Sequence, residues 1–110
     1  MINDTMSKIE KKITNSVHIT DDNKKEYLSM LSALRGEISD ISQSESDKAE
    51  TITGFAGVTA HEATREETNP ELLELSLDGL KKSVEGFEVS NPRLVSVVNS
   101  FCSLLSNLGI

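Results

Sequence analysis

A histidine and three carboxylates fall within seven residues at His61-Glu62-Ala63-Thr64-Arg65-Glu66-Glu67. Side chains of this kind hold metal ions or move protons, provided that several converge on one point. The spacing argues against the common forms of that chemistry. A zinc protease helix carries a second histidine four residues after the first, and Arg65 stands there. A di-iron bundle places glutamate three residues before its histidine, and Val58 stands there. What remains is His61 with Glu62 and Glu66, one helical turn apart, a weak set of ligands for a hard cation. A solvated, charged helix end is the favoured reading.

Cys102 is the one thiol in the chain, so no internal disulfide can form, and a reducing cytosol is expected. A nucleophilic role would need a lowered pKa and a nearby base. With apolar neighbours and no histidine within forty residues in sequence, Cys102 reads as a small buried hydrophobe. His18, at the end of the first helix, reads as a partner for unbonded helix-end carbonyls. Glycine-rich phosphate loops and serine elbows are missing. The expectation is therefore a non-enzymatic protein with no catalytic residue, no cofactor and no metal.

The elements that must position these residues are helices. Residues 3–17 carry Met6, Ile9, Ile13 and Val17 on one stripe, opposite Lys8, Lys11 and Lys12. Those lysines read as a solvated face, with a contact to anionic membranes ranked last among functions. Thr20-Asp21-Asp22 opens a second helix, 20–42, whose hydroxyl cap and first-turn acids suit a helix start. Its seam is Tyr27, Leu31, Leu34, Ile38 and Ile41. Ser44 and Asp47 resemble a capping box for a third helix, 45–66, with the narrow seam Ala49, Ile52, Ala56, Thr59 and Ala63. Gly54 and Gly57 weaken it unless a neighbour comes very close, and a loop at 54–57 is the alternative. Asn69-Pro70-Glu71 starts a fourth helix, 70–88, with the seam Leu73, Leu77, Leu80, Val84 and Phe87. Asn91 before Pro92 breaks the chain and can cap a fifth helix, 92–108.

Strand alternation and hairpin turns are poor throughout. The expected fold is one all-α domain, 1–110, an elongated helical hairpin or bundle with heptad-like seams. With 110 residues, 36% of them hydrophobic and 4% aromatic, its core should be thin. The net charge of −7 disfavours nucleic acid as a partner. Acid is concentrated between residues 18 and 92, which sum to −9. The last eighteen residues hold ten hydrophobic side chains and one charge, Arg93. That surplus predicts burial on more than one side, by the chain itself or by a second copy. Leu94, Val97, Val98, Phe101, Leu104, Leu105 and Leu108 are the expected self-association face. Residues 94–110 are too short and too interrupted by serine and asparagine for a membrane span. No basic segment leading into an apolar run opens the sequence, so export is not expected.

Phe87-Glu88-Val89-Ser90-Asn91-Pro92-Arg93-Leu94 and Leu105-Ser106-Asn107-Leu108-Gly109-Ile110 resemble a bacterial family of short helical proteins known as domain of unknown function 4404. The family pattern has phenylalanine, glutamate, a spacer, serine, histidine and proline at the helix junction. It ends in asparagine, an apolar residue, glycine and isoleucine. Asn91 stands where histidine is usual, which suits capping and excludes a role for an imidazole there. The resemblance implies a bacterial, cytoplasmic, helical protein with no assigned activity. The functional expectation is a self-associating structural or protein-interaction module, a homo-oligomer with a further unidentified protein partner as an option. A metal- or small-molecule-binding bundle built on His61, Glu62 and Glu66 is the alternative.

Overall fold

The chain forms five helices in the computed structural model, which describes residues 2–109 and the side-chain surroundings of 2–108. They are α1 (Ile2–Thr14), α2 (Asp21–Ser42), α3 (Ser46–Thr64), α4 (Pro70–Ser83) and α5 (Pro92–Gly109). No strand occurs among the described residues, and the all-α expectation holds. Ile110, the last residue of the C-terminal motif, lies outside them.

The seams do what their spacing predicts. Leu34 and Ile38 of α2, Leu73 and Leu80 of α4, and Leu94, Val98, Phe101 and Leu105 of α5 are all fully buried. The small-residue seam of α3 is buried along its whole length, from Ala49 through Ile52, Ala56, Thr59 and Ala60 to Ala63. Its size follows from its position, because α3 packs against all four other helices. A helix that meets four neighbours along its buried faces carries mostly small side chains there, with Ile52 the one large residue of the seam. Gly54 and Gly57 do not break it. A Cβ on Gly57 would stand 3.1 Å from Thr5 Cγ2, so α1 and α3 approach closely there.

The expected elongation is corrected. The extents are 37 × 25 × 22 Å and the radius of gyration is 12.9 Å, against roughly 13 Å for a compact chain of this length. At 1.5 Å per residue, α2 alone spans roughly 33 Å. The long axis is therefore little more than one helix, with the other four folded beside it.

Helix ends differ from expectation at several places. α1 stops at Thr14 rather than 17, and Val17 is 73% exposed rather than on the buried stripe. The backbone N–H of His18 donates to Ser16 Oγ at 3.1 Å, holding the turn that carries Val17 outward. Thr20 precedes α2 in an extended conformation but makes no side-chain cap bond. Glu45 rather than Ser44 precedes α3, also without a side-chain bond to the helix backbone, so the capping box does not form. α4 ends at Ser83 rather than 88, because Gly86 takes a left-handed conformation at φ 97 that turns the chain out of the helix. Val84 and Phe87 are nevertheless buried beyond that end. Asn69 behaves as predicted, its side chain accepting from the Leu72 N–H at 3.2 Å, with Pro70 in the first helical position.

The apolar surplus at the C-terminus is spent within the chain. α5 packs against α2, α3 and α4, and three neighbours require three apolar sides. Val95, Val97, Leu104 and Leu108 are partly buried against the core, and Ser96, Asn99, Ser100 and Ser103 face outward. The Tyr27 hydroxyl of α2 donates to the Leu104 carbonyl at 2.9 Å and ties the two helices together. No helix among the described residues is long and apolar enough to cross a membrane.

Candidate functional site

Two surfaces remain once the core is assigned, one on each flank of α3. The first lies between the C-terminal halves of α1 and α3. The three lysines of α1 share one face through their spacing, and the close approach at Gly57 brings that face beside the last two turns of α3. Lys12 Nζ stands 3.2 Å from His61 Nδ1. A charged lysine has no lone pair, so in a hydrogen bond of this pair the ammonium donates and Nδ1 accepts, leaving Nε2 turned away from Lys12. A groove of about 320 Å³ is lined there by Lys11, Lys12, His61, Thr64, Arg65 and Glu66, with the exposed Val17 at its side. A second groove of about 450 Å³ continues past Lys8 and Val58 and shares Lys12 and His61.

The three metal candidates of the sequence part company here. His61 and Glu66 both line the groove. Glu62 is buried, and its carboxylate accepts from Arg65 Nη1 at 2.9 Å. No cluster of three or more histidine, cysteine, aspartate or glutamate side chains suited to a metal exists among the described residues. The imidazole nitrogen nearest a charge faces an ammonium, and the surroundings of His61 are cationic.

His18 also reaches this end of the molecule. It does bond a helix-end carbonyl, but that of Arg65, through Nε2. The junction between α1 and α2 therefore closes the C-terminus of α3 rather than that of its own helix. Cys102 is 1% exposed, and burial pushes its thiol from an ordinary 9.0 up to about 11, with Lys81 pulling weakly the other way. A thiol held protonated at neutral pH is no nucleophile.

The second surface is the outer face of the antiparallel α3–α4 pair. Two contacts fix its register. The Thr59 hydroxyl lies 2.6 Å from the Phe55 carbonyl and 3.1 Å from the Ser76 carbonyl of α4, one proton shared between them. One turn away, the Phe55 ring lies over Gly79, where a Cβ would collide with it. Phe55 is 38% exposed, Val58 52%, Leu72 42% and Leu75 68%. Sequence reasoning missed this row because it followed the buried seam of α4. The available signal was Leu72 and Leu75 themselves, two leucines off that seam on an amphipathic helix.

The self-association residues expected on α5 are placed differently. Leu94, Val98, Phe101 and Leu105 are fully buried by the chain's own helices, and Val97, Leu104 and Leu108 are partly covered. Comparison with known proteins finds no matching family, no matching curated relative and no matching solved structure.

Proposed function

We propose that this chain is a non-enzymatic, self-associating helical module in which two copies pair through the outer face of α3 and α4. The observation that carries the proposal is the exposed apolar face formed by Phe55 and Val58 of α3 with Leu72 and Leu75 of α4, the latter a helix with acid at its start and base at its end. Glu71 occupies the first turn of α4, and Lys81 and Lys82 the last. Two copies of α4 laid antiparallel about a two-fold axis bring each Glu71 opposite the other copy's Lys82, with the leucines between them. Self-complementarity of this kind is what a two-fold interface requires. The helix dipoles then also run antiparallel.

With Val58 included, this face exposes on the order of 400 Å² of apolar surface, within the range of functional patches on monomers. It is about half of what each partner contributes to a standard stable interface, which places the pairing among weak, transient ones. The resemblance at Phe87–Leu94 and Leu105–Ile110 to domain of unknown function 4404 supports placing this module in the bacterial cytoplasm.

Sedimentation equilibrium from micromolar to millimolar concentration tests the pairing. Wild type should dimerise reversibly, and Leu75→Glu, at a solvent-exposed site, should remain a folded monomer. Glu71→Lys and Lys82→Glu should each weaken the dimer, and the two together should restore it. A wild type that stays monomeric throughout, or a Leu75→Glu variant that dimerises equally well, overturns the proposal.

A further inference from the structure

The groove between α1 and α3 carries the wrong charge for its chain. Acids outnumber bases eighteen to eleven, yet Lys8, Lys11, Lys12 and Arg65 gather around one imidazole. Among the described residues, no carboxylate oxygen lies within 4.0 Å of the Lys8, Lys11 or Lys12 ammonium groups, whereas Lys24 and Lys48 each hold an acid partner. Of the acids nearby, Glu62 is engaged by Arg65, and Glu66 sits exposed on the wall of the groove. Lysines near a helix C-terminus are explained by the dipole when they stay in solvent. Lys12 reaches further: it is of intermediate exposure and crosses to α3, where its partner is a ring nitrogen of His61 and not a carboxylate. That contact supplies a hydrogen bond but no counter-charge.

We propose that this groove binds a phosphate group, with Lys12 and Arg65 supplying the charge and His61 Nε2–H a further donor. Arg65 commits one nitrogen to Glu62 and keeps the rest of its planar fork, the geometry that suits phosphate oxygens. Thr64 and Asn15 add neutral polar groups on either side. A volume of about 320 Å³ stands at the lower end of small-molecule pockets. It suits a phosphomonoester or diphosphate of few carbon atoms, free in solution or carried as a lipid headgroup. The site is separate from the α4 face, so its occupancy and the pairing of two copies can be tested independently.

Pyrophosphate is the probe, added to the 110-residue chain at physiological ionic strength while the ring resonances of His61 are followed by NMR. Saturable shifts of the His61 ring at or below millimolar concentration are expected. Lys12→Gln and Arg65→Gln should each weaken binding by roughly tenfold, whereas Lys25→Gln, on exposed α2 surface, should leave it unchanged. A parallel arm sediments the protein with vesicles containing phosphatidylglycerol. Cosedimentation that Lys12→Gln removes identifies a headgroup, and pyrophosphate binding without cosedimentation identifies a soluble ligand. Arg65→Gln also frees Glu62, so Lys12→Gln is the deciding variant, its fold checked by circular dichroism. Absence of pyrophosphate shifts and of cosedimentation in the wild type, or binding that survives Lys12→Gln unchanged, overturns the proposal.

Discussion

Replacing Gly79 by alanine should destabilise this protein, although the same change in an open helix does the opposite. Gly79 lies inside α4, where alanine is worth roughly 1 kcal/mol over glycine. A Cβ at this position would stand 2.6 Å from Cδ1 of Phe55 and closer still to Cε1. The ring is 38% exposed, so it moves outward before the helices separate. A buried phenylalanine covers about 150–250 Å²; the covered part here is about 120 Å², and losing half to all of it costs about 1.5–3 kcal/mol at 25 cal/mol per Å². Subtracting the gain in helix propensity leaves a net loss of about 0.5–2 kcal/mol, several degrees in Tm for a domain of this size. The assay is a double-mutant cycle by urea and thermal unfolding, at low concentration so that pairing of copies does not contribute. In a Phe55→Ala background, Gly79→Ala should become stabilising by about 1 kcal/mol. Gly36→Ala, where nothing lies within 4 Å of the new Cβ, should stabilise in either background. If Gly79→Ala raises Tm equally with and without the Phe55 ring, the packing argument is wrong.

Cys102 should resist thiol reagents in the native state at pH 8 and react at the rate of unfolding. Its folded pKa is raised, so its contribution to stability is complete below pH 9.0 and lost as pH rises toward about 11. Tyr27, raised by burial first and by Glu26 second, acts in the same direction at alkaline pH. Melting curves against pH should show this decline, and Cys102→Ala should flatten its earlier part. Tyr27→Phe, which removes the donor to the Leu104 carbonyl, should cost about 1 kcal/mol by chemical denaturation. Val98→Asp buries a charge at a fully enclosed site and should abolish cooperative unfolding rather than merely alter mass.

The helices were legible from their seams, and start and stop signals helped most where local backbone chemistry decides, while the Thr20 and Ser44 caps do not form. Asn69 and Pro70 fixed the start of α4 through backbone chemistry confined to a few residues. Tertiary context decided the rest. The α4 seam marked Val84 and Phe87 as buried, and they are, but burial does not require a helix, and Gly86 ends it earlier. The surplus of apolar residues on α5 was visible, yet its cause was not, since a helix touching three others and a helix touching a second copy share one pattern. His61 was noticed for its acidic neighbours in sequence. The residue that defines its surroundings is Lys12, forty-nine positions away, which no local spacing could reveal.

The alanine seam of α3 bears on how this sequence can drift. Substitution tolerance is usually expected to be lowest at the large hydrophobic residues. Here Leu→Met or Ile→Val changes on α2, α4 or α5 leave small mismatches that neighbouring side chains can absorb. Ala49, Ala56, Ala60 and Ala63 are fully enclosed, on a helix that touches all four others, and an added methylene there pushes on close-packed helices. In a saturation screen for folded protein, the strictest constraint should therefore trace the smallest side chains. The residues that look least like a core in the sequence are the ones on which the lineage has least freedom.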